Sequence, residues 1–88
     1  MDELFQLRKH IDALDEKLFR IMAERISVVR KIGKLKKKSN LPLLDIKRRD
    51  EIVTSILLNA KSLGLSESFA KKLFHLIHEY SLEIENEK

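Results

Sequence analysis

Leu4, Leu7, Ile11, Leu14, Leu18, Ile21, Val28, Ile32 and Leu35 recur in steps of three and four along the start of the chain, and one helix turns all of them to the same side. The pattern has ten positions, and Arg25 fills the one between Ile21 and Val28. No proline falls within it and Gly33 is its one glycine, so the spacing predicts a single helix from about Asp2 to about Lys38. Such a helix is about 55 Å long. A compact domain of 88 residues has a radius of gyration of only about 12 Å. The helix must therefore protrude from any monomer and leave much of its apolar seam uncovered. Two chains whose long helices cross and share the shorter helices remove that exposure, so an intertwined homodimer is expected.

The break comes at "SNLPLLD", where Pro42 disfavours helix at Leu41 and Asp45 suits an N-cap. A second helix is expected from about Ile46 to Leu63, with Ile52, Val53, Ile56, Leu57 and Ala60 facing inward and Gly64 as a left-handed stop. Ser66 can cap a third helix that carries Phe69, Leu73, Leu76, Ile77, Tyr80 and Ile84. Strand patterns, repeats and low-complexity tracts are missing. The expected fold class is all-α, with one long and two shorter helices in a single domain, residues 1–88, that forms a helical bundle as a homodimer. The chain has no cysteine, which excludes a disulfide framework and a thiolate metal site. "MDELFQLRKH" lacks the apolar stretch of a signal peptide and nothing approaches a membrane span, so a cytoplasmic location without membrane contact is expected. The net charge of +4, from 18 basic and 14 acidic residues, favours an anionic partner.

Arg25 in the seam has two readings. A lone polar residue there can set register or snorkel to solvent. Alternatively it is an interior cation that waits for an anionic ligand, because an unpaired buried charge is costly. Lys36 favours the second reading. It lies eleven residues on, three turns plus about 20°, on the same face and about 16 Å along the axis. Two long side chains can lean from those positions toward one small molecule. Arg8 lies seventeen residues before Arg25, about 25 Å away, and can reach such a ligand only from another chain. Ser81 and Glu85 form a polar pair one turn apart on the third helix. "DIKRRDE" opens the second helix with Asp45, Arg48 and Arg49, which as residues alone read equally well as a cap and two exposed cations.

Taken together, "LRKHIDALDEKL", "AERISVVRKIGKLK", "LPLLDIKRRDEI" and "LFHLIHEYS" resemble, in order and over nearly the whole chain, the small all-helical chorismate mutases. The resemblance implies an intertwined dimer of three-helix chains with two active sites, each built from both subunits. It implies a concerted [3,3] rearrangement of chorismate to prephenate with no metal, cofactor or covalent intermediate. It further implies that Arg25 binds a substrate carboxylate, that Arg8 is contributed from the partner chain, and that Lys36 contacts the ether oxygen of the breaking bond. Arg48 matches another site arginine, Asp45 a position near the ring hydroxyl, and Ser81 a small polar residue at a carboxylate. Chorismate is a dianion, so arginines can hold it through bidentate bonds and select its compact conformer. A fixed ammonium at the ether oxygen stabilises the charge that grows there.

Two positions depart from the common bacterial pattern. Arg49 stands where many members have a glutamate that helps hold the ring hydroxyl, and Glu85 where many have a glutamine opposite the lysine. The first change leans toward an isochorismate pyruvate-lyase on the same fold; retention of Asp45 leans back to the mutase. A helical dimerisation or regulatory module without catalysis is the third reading, against which Arg25 argues. "KLKKK" complements the helix macrodipole and lacks the aromatic company of a nucleic-acid site, so no nucleic-acid partner is expected. His75 and His78 lack zincin order and a third ligand, and are expected to be surface or half-buried residues.

Overall fold

The computed structural model describes residues 2–87 and contains α1 (Asp2–Lys38), α2 (Ile46–Ser62) and α3 (Glu67–Glu85), with no strand among the described residues. Met1 and Lys88, which the single-domain expectation took in, lie outside the described residues. Asp2 and Glu3 in the first turn of α1 and Lys36 to Lys38 in its last complement the helix macrodipole. The helix stops through a Schellman motif. Asn40 takes φ +56°, the Leu41 amide donates to the Lys36 carbonyl at 2.7 Å, and the Asn40 amide donates to the Lys37 carbonyl at 3.2 Å. The left-handed asparagine ends the helix two residues before Pro42.

The shorter helices begin at the caps their sequences predict, and α2 stops at the predicted glycine. The Asp45 carboxylate accepts from the Arg48 amide at 3.0 Å and the Ser66 hydroxyl from the Phe69 amide at 3.2 Å. α2 closes on Leu63 and Gly64, whose φ of +76° lets the Leu65 amide donate to the Ala60 carbonyl at 2.8 Å.

α3 is the central element. It packs against α2 along its length and against the second half of α1, whereas α1 and α2 do not pack on each other. The buried apolar residues are few: Ile26, Val29 and Ile84 between α1 and α3, and Ala60, Ala70 and Phe74 between α2 and α3. Of the apolar residues that the third helix carries, Phe69, Leu73, Leu76 and Tyr80 are exposed, and α3 buries Ala70, Phe74, Ser81, Ile84 and Glu85. Small residues at the contact let the helices approach, and the bulkier apolar ones are left to the outside of this chain.

The same holds for α1. The seam from Leu4 to Leu35 is not buried within the chain: its nine apolar residues are 41% to 62% exposed. The face that meets α3 carries Ile26, Val29 and Gly33, about 110° round the helix from the seam. Arg25 and Lys36 lie on the border between the two stripes, about 40° and 60° from the seam's line. With α1 projecting, the radius of gyration is 16.5 Å and the longest extent 57 Å, well beyond a compact domain of this length. Among the described residues no helix is long and apolar enough to cross a membrane.

Candidate active site

Ser81 and Glu85 are the buried polar side chains of the structure, at 5% and 8% exposure, and each is met by a cation from the border of α1. The Ser81 hydroxyl donates to the Ile77 carbonyl at 2.7 Å, one turn back, which leaves its lone pairs turned outward. Arg25 donates to that hydroxyl through Nη1. Arg25 is thus half-buried and bonded, rather than the unpaired interior charge that the sequence suggests. The Lys36 ammonium lies 2.6 Å from Glu85 Oε1 and donates to the Leu43 carbonyl at 2.7 Å, which folds the α1–α2 loop over it. Glu85 Oε1 thus has the Lys36 ammonium as its ion-pair partner in a largely buried setting.

These two rungs converge. Arg25 and Lys36 are about 16 Å apart along α1, whereas Ser81 and Glu85 are about 6 Å apart along α3. Contact with two residues only one turn apart on α3 draws both cationic heads toward one small region. Gly33, buried between them, is where the helices touch. Beyond it, Arg30 Nε pairs with Glu87 Oε2 at 3.3 Å and the Lys37 ammonium donates to the Glu87 carbonyl, so the end of α3 is tied to α1. Lys34 and Lys37 of the basic run therefore border Glu85 and Glu87 rather than forming a separate basic face.

Asp45 is exposed and engaged as a cap, but with Lys36 it borders a cavity of about 430 Å³ under Leu41, Pro42 and Leu44. Arg48 is exposed, while Arg49, the next residue round the helix, is half-buried and turned toward α3. Arg8 is exposed on the first half of α1, where α3 does not reach, and meets none of these groups within the chain. The cavity of about 290 Å³ beside Arg25 is otherwise mostly apolar, lined by residues such as Ile52, Ile56, Leu63, Phe69 and Leu73.

His78, expected to be a surface or half-buried residue, lies half-buried beside this cluster. Its half-buried imidazole stacks on Phe74, with centroids 5.5 Å apart and planes at 19°. Burial, and then the Arg49 guanidinium, hold its pKa below the ordinary 6.5; Glu85 opposes them, and Arg25 and His75 add to them. The signal was available, because residues 78, 81 and 85 share one face of a helix. His75, by contrast, is exposed and paired with Glu79 at 3.0 Å. Among the described residues no three groups of metal-ligating type gather at one place.

A helical dyad of arginine and lysine facing serine and a carboxyl group suits a small dianion whose reaction develops charge on oxygen. Similarity to known proteins points the same way. The chain is 43% identical over 65 residues to a bifunctional chorismate mutase/prephenate dehydratase of Aquifex aeolicus, covering 73% of this chain and 18% of that protein. It is 37% identical over 79 residues to the bifunctional chorismate mutase/prephenate dehydratase of Escherichia coli, covering 90% of this chain and 20% of that protein. It is 25% identical over 87 residues to a chorismate mutase of Methanocaldococcus jannaschii, covering 99% of this chain and 88% of that one. The chain thus spans about a fifth of the length of the two bifunctional relatives. The family model for chorismate mutase type II matches residues 7–86, from the first turns of α1 to the cap of α3, and the chain belongs to that family.

Proposed function

We propose that this chain converts chorismate to prephenate, as a homodimer in which each site draws on both subunits. The observation that carries the reading is the pair of rungs, Arg25 with Ser81 and Lys36 with Glu85, set on the border between α3 and an uncovered apolar seam. A second copy laid along the seam closes the site from the open side. Its α1 has an apolar groove to enter, the one lined by Ile52, Ile56, Phe69 and Leu73. Arg8 lies on the stretch of α1 that would then reach a neighbouring site.

The chemistry follows from the groups. Arg25, assisted by Ser81, takes one carboxylate; Arg48 and the Arg8 of a second copy are the guanidiniums available for the other. Held at both ends, chorismate is kept in the folded conformer in which the carbon termini lie within bonding distance. The C–O bond breaks as the C–C bond forms, with no proton or electron exchanged with the protein. Negative charge grows on the ether oxygen. The Lys36 ammonium, with the Glu85 carboxyl group beside it, stabilises that charge more than it stabilises the substrate. Asp45, beside Lys36 in the loop cavity, borders the ring.

Incubation with chorismate and, separately, with isochorismate, with products separated, tests the reading. Prephenate is the expected product. Salicylate and pyruvate formed from isochorismate, without mutase activity, would assign the protein to the lyase reaction, a reading that Arg49 favours. No turnover of either substrate, and no thermal stabilisation by such dianions, would leave a helical dimerisation module.

A further inference from the structure

His78 Nε2 is a buried polar atom without a hydrogen-bond partner. Buried nitrogen left unbonded costs stability, so a partner from outside the chain is the physical remedy. The imidazole is held in place by Phe74 and lies at the meeting of all three helices. Arg25 faces it from α1, Arg49 from α2, and Glu85 and His75 from its own helix. Beside it a cavity of about 230 Å³ opens between α2 and α3, lined by Arg49, Val53, Ile56, Phe74 and His75 among others.

Burial and the neighbouring Arg49 guanidinium favour the uncharged imidazole. A neutral imidazole carries one acceptor nitrogen and one N–H. In the proposed reaction the two carboxylates of the substrate go to guanidiniums, and the ether oxygen to Lys36 and Glu85. The ring hydroxyl is the polar group left over, and its proton requires an acceptor. Arg49 can only donate, and Asp45 spends one carboxylate oxygen on the Arg48 amide of its own helix, which leaves the His78 nitrogen as the acceptor with no partner at all.

We propose that His78 is a specificity-determining substrate contact, its Nε2 accepting the hydrogen bond of the ring hydroxyl while Arg49 donates to the same oxygen. The proposal rests on the mutase reading above. It assigns the imidazole to the tautomer with its proton on Nδ1, and it gives the unbonded nitrogen a partner only when substrate is present.

The test uses two inhibitors of the full chain: the bicyclic ether dicarboxylate that mimics the transition state, and its counterpart without the hydroxyl. The wild type should bind the hydroxylated compound about tenfold more tightly, the scale of one hydrogen bond to a group otherwise left unpaired. In His78→Leu the ratio should fall to about one, and His78→Gln, which keeps an acceptor near the Nε2 position, should restore part of it. A ratio unchanged in His78→Leu, or equal losses for both compounds, would overturn the assignment and leave His78 a packing residue against Phe74. Should His78→Leu fail to fold, ¹⁵N spectra of the wild type decide. The Nε2 resonance should move with the hydroxylated compound and stay with the other; equal movement with both sinks the proposal. A wild type that binds neither compound removes the mutase reading itself.

Discussion

Gly33 of α1 and Glu85 of α3 meet backbone to backbone: a Cβ placed on Gly33 would lie 2.8 Å from the Glu85 Cα and 2.9 Å from its carbonyl oxygen. Neither atom belongs to a flexible side chain, so the helices themselves would have to separate. A glycine inside a helix costs about 1 kcal/mol relative to alanine. The close crossing it permits offsets that cost by bringing the Glu85 carboxyl to the Lys36 ammonium.

Gly33→Ala is accordingly expected to keep the helices and lose the site. Circular dichroism should show near-native helix content, while kcat falls about a hundredfold, the scale of a displacement of roughly 1 Å in a positioned group. Thermal stability should fall despite the better helix former, because overpacking costs about 1–3 kcal/mol. A more stable variant with undiminished kcat would show that α3 yields without effect on Glu85.

The border position of Arg25 and the distance to Arg8 make the shared site testable by mixing. Arg8→Ala and Arg25→Ala should each be nearly inactive alone. Co-refolded in equal amounts they should regain activity, because one of the two sites in a mixed dimer keeps both arginines. Leu14→Glu in the exposed seam should abolish dimers in analytical ultracentrifugation. Mixtures that stay as inactive as either parent, with exchange verified, would exclude shared sites.

Lys36 and Glu85 should act on the transition state in different senses. Lys36→Ala should lower kcat by about two to three orders of magnitude with a smaller change in KM, as the loss of a preorganised charge does. Glu85→Gln supplies a permanent donor toward the ether oxygen. It should hold or raise kcat at neutral pH, and a kcat reduced as far as in Lys36→Ala would show that the carboxyl group itself is required. Were Lys36→Ala to alter KM alone, Lys36 would be an attractor for the dianion and not part of the chemistry.

His78 gives stability a pH dependence with a definite sign. Its folded pKa lies below the unfolded value of 6.5, first through burial and then through Arg49. The unfolded chain therefore binds the proton more readily, and stability falls as pH drops through 6.5 toward the folded pKa. Urea midpoints of the wild type should decline across that window, and those of His78→Leu should decline less. Parallel slopes in the two proteins would place the imidazole in an environment like water.

The secondary structure was legible because its determinants are local. Asp45, Ser66 and Gly64 act on backbone groups within a few residues, and the helix limits follow from them. The reach of α1, and the consequence that one chain cannot cover it, followed from the rise of a helix. Arg25 could be singled out because a charge stands out in an apolar seam, and Lys36 because helix geometry puts it on the same face, whereas Ser81 and Glu85 gained weight only from the family resemblance. Periodicity could not say which stripe of α1 meets α3, because a heptad seam looks the same whether its partner is the same chain or another. The crossing at Gly33 chose the stripe of Ile26 and Val29, and so left the seam open with Arg25 and Lys36 at its edge. The inward place of His78 was decided in the same way: Ala70 and Phe74 set how α3 turns against α2, and that rotation, invisible in "HLIHE", carries the imidazole to Arg49.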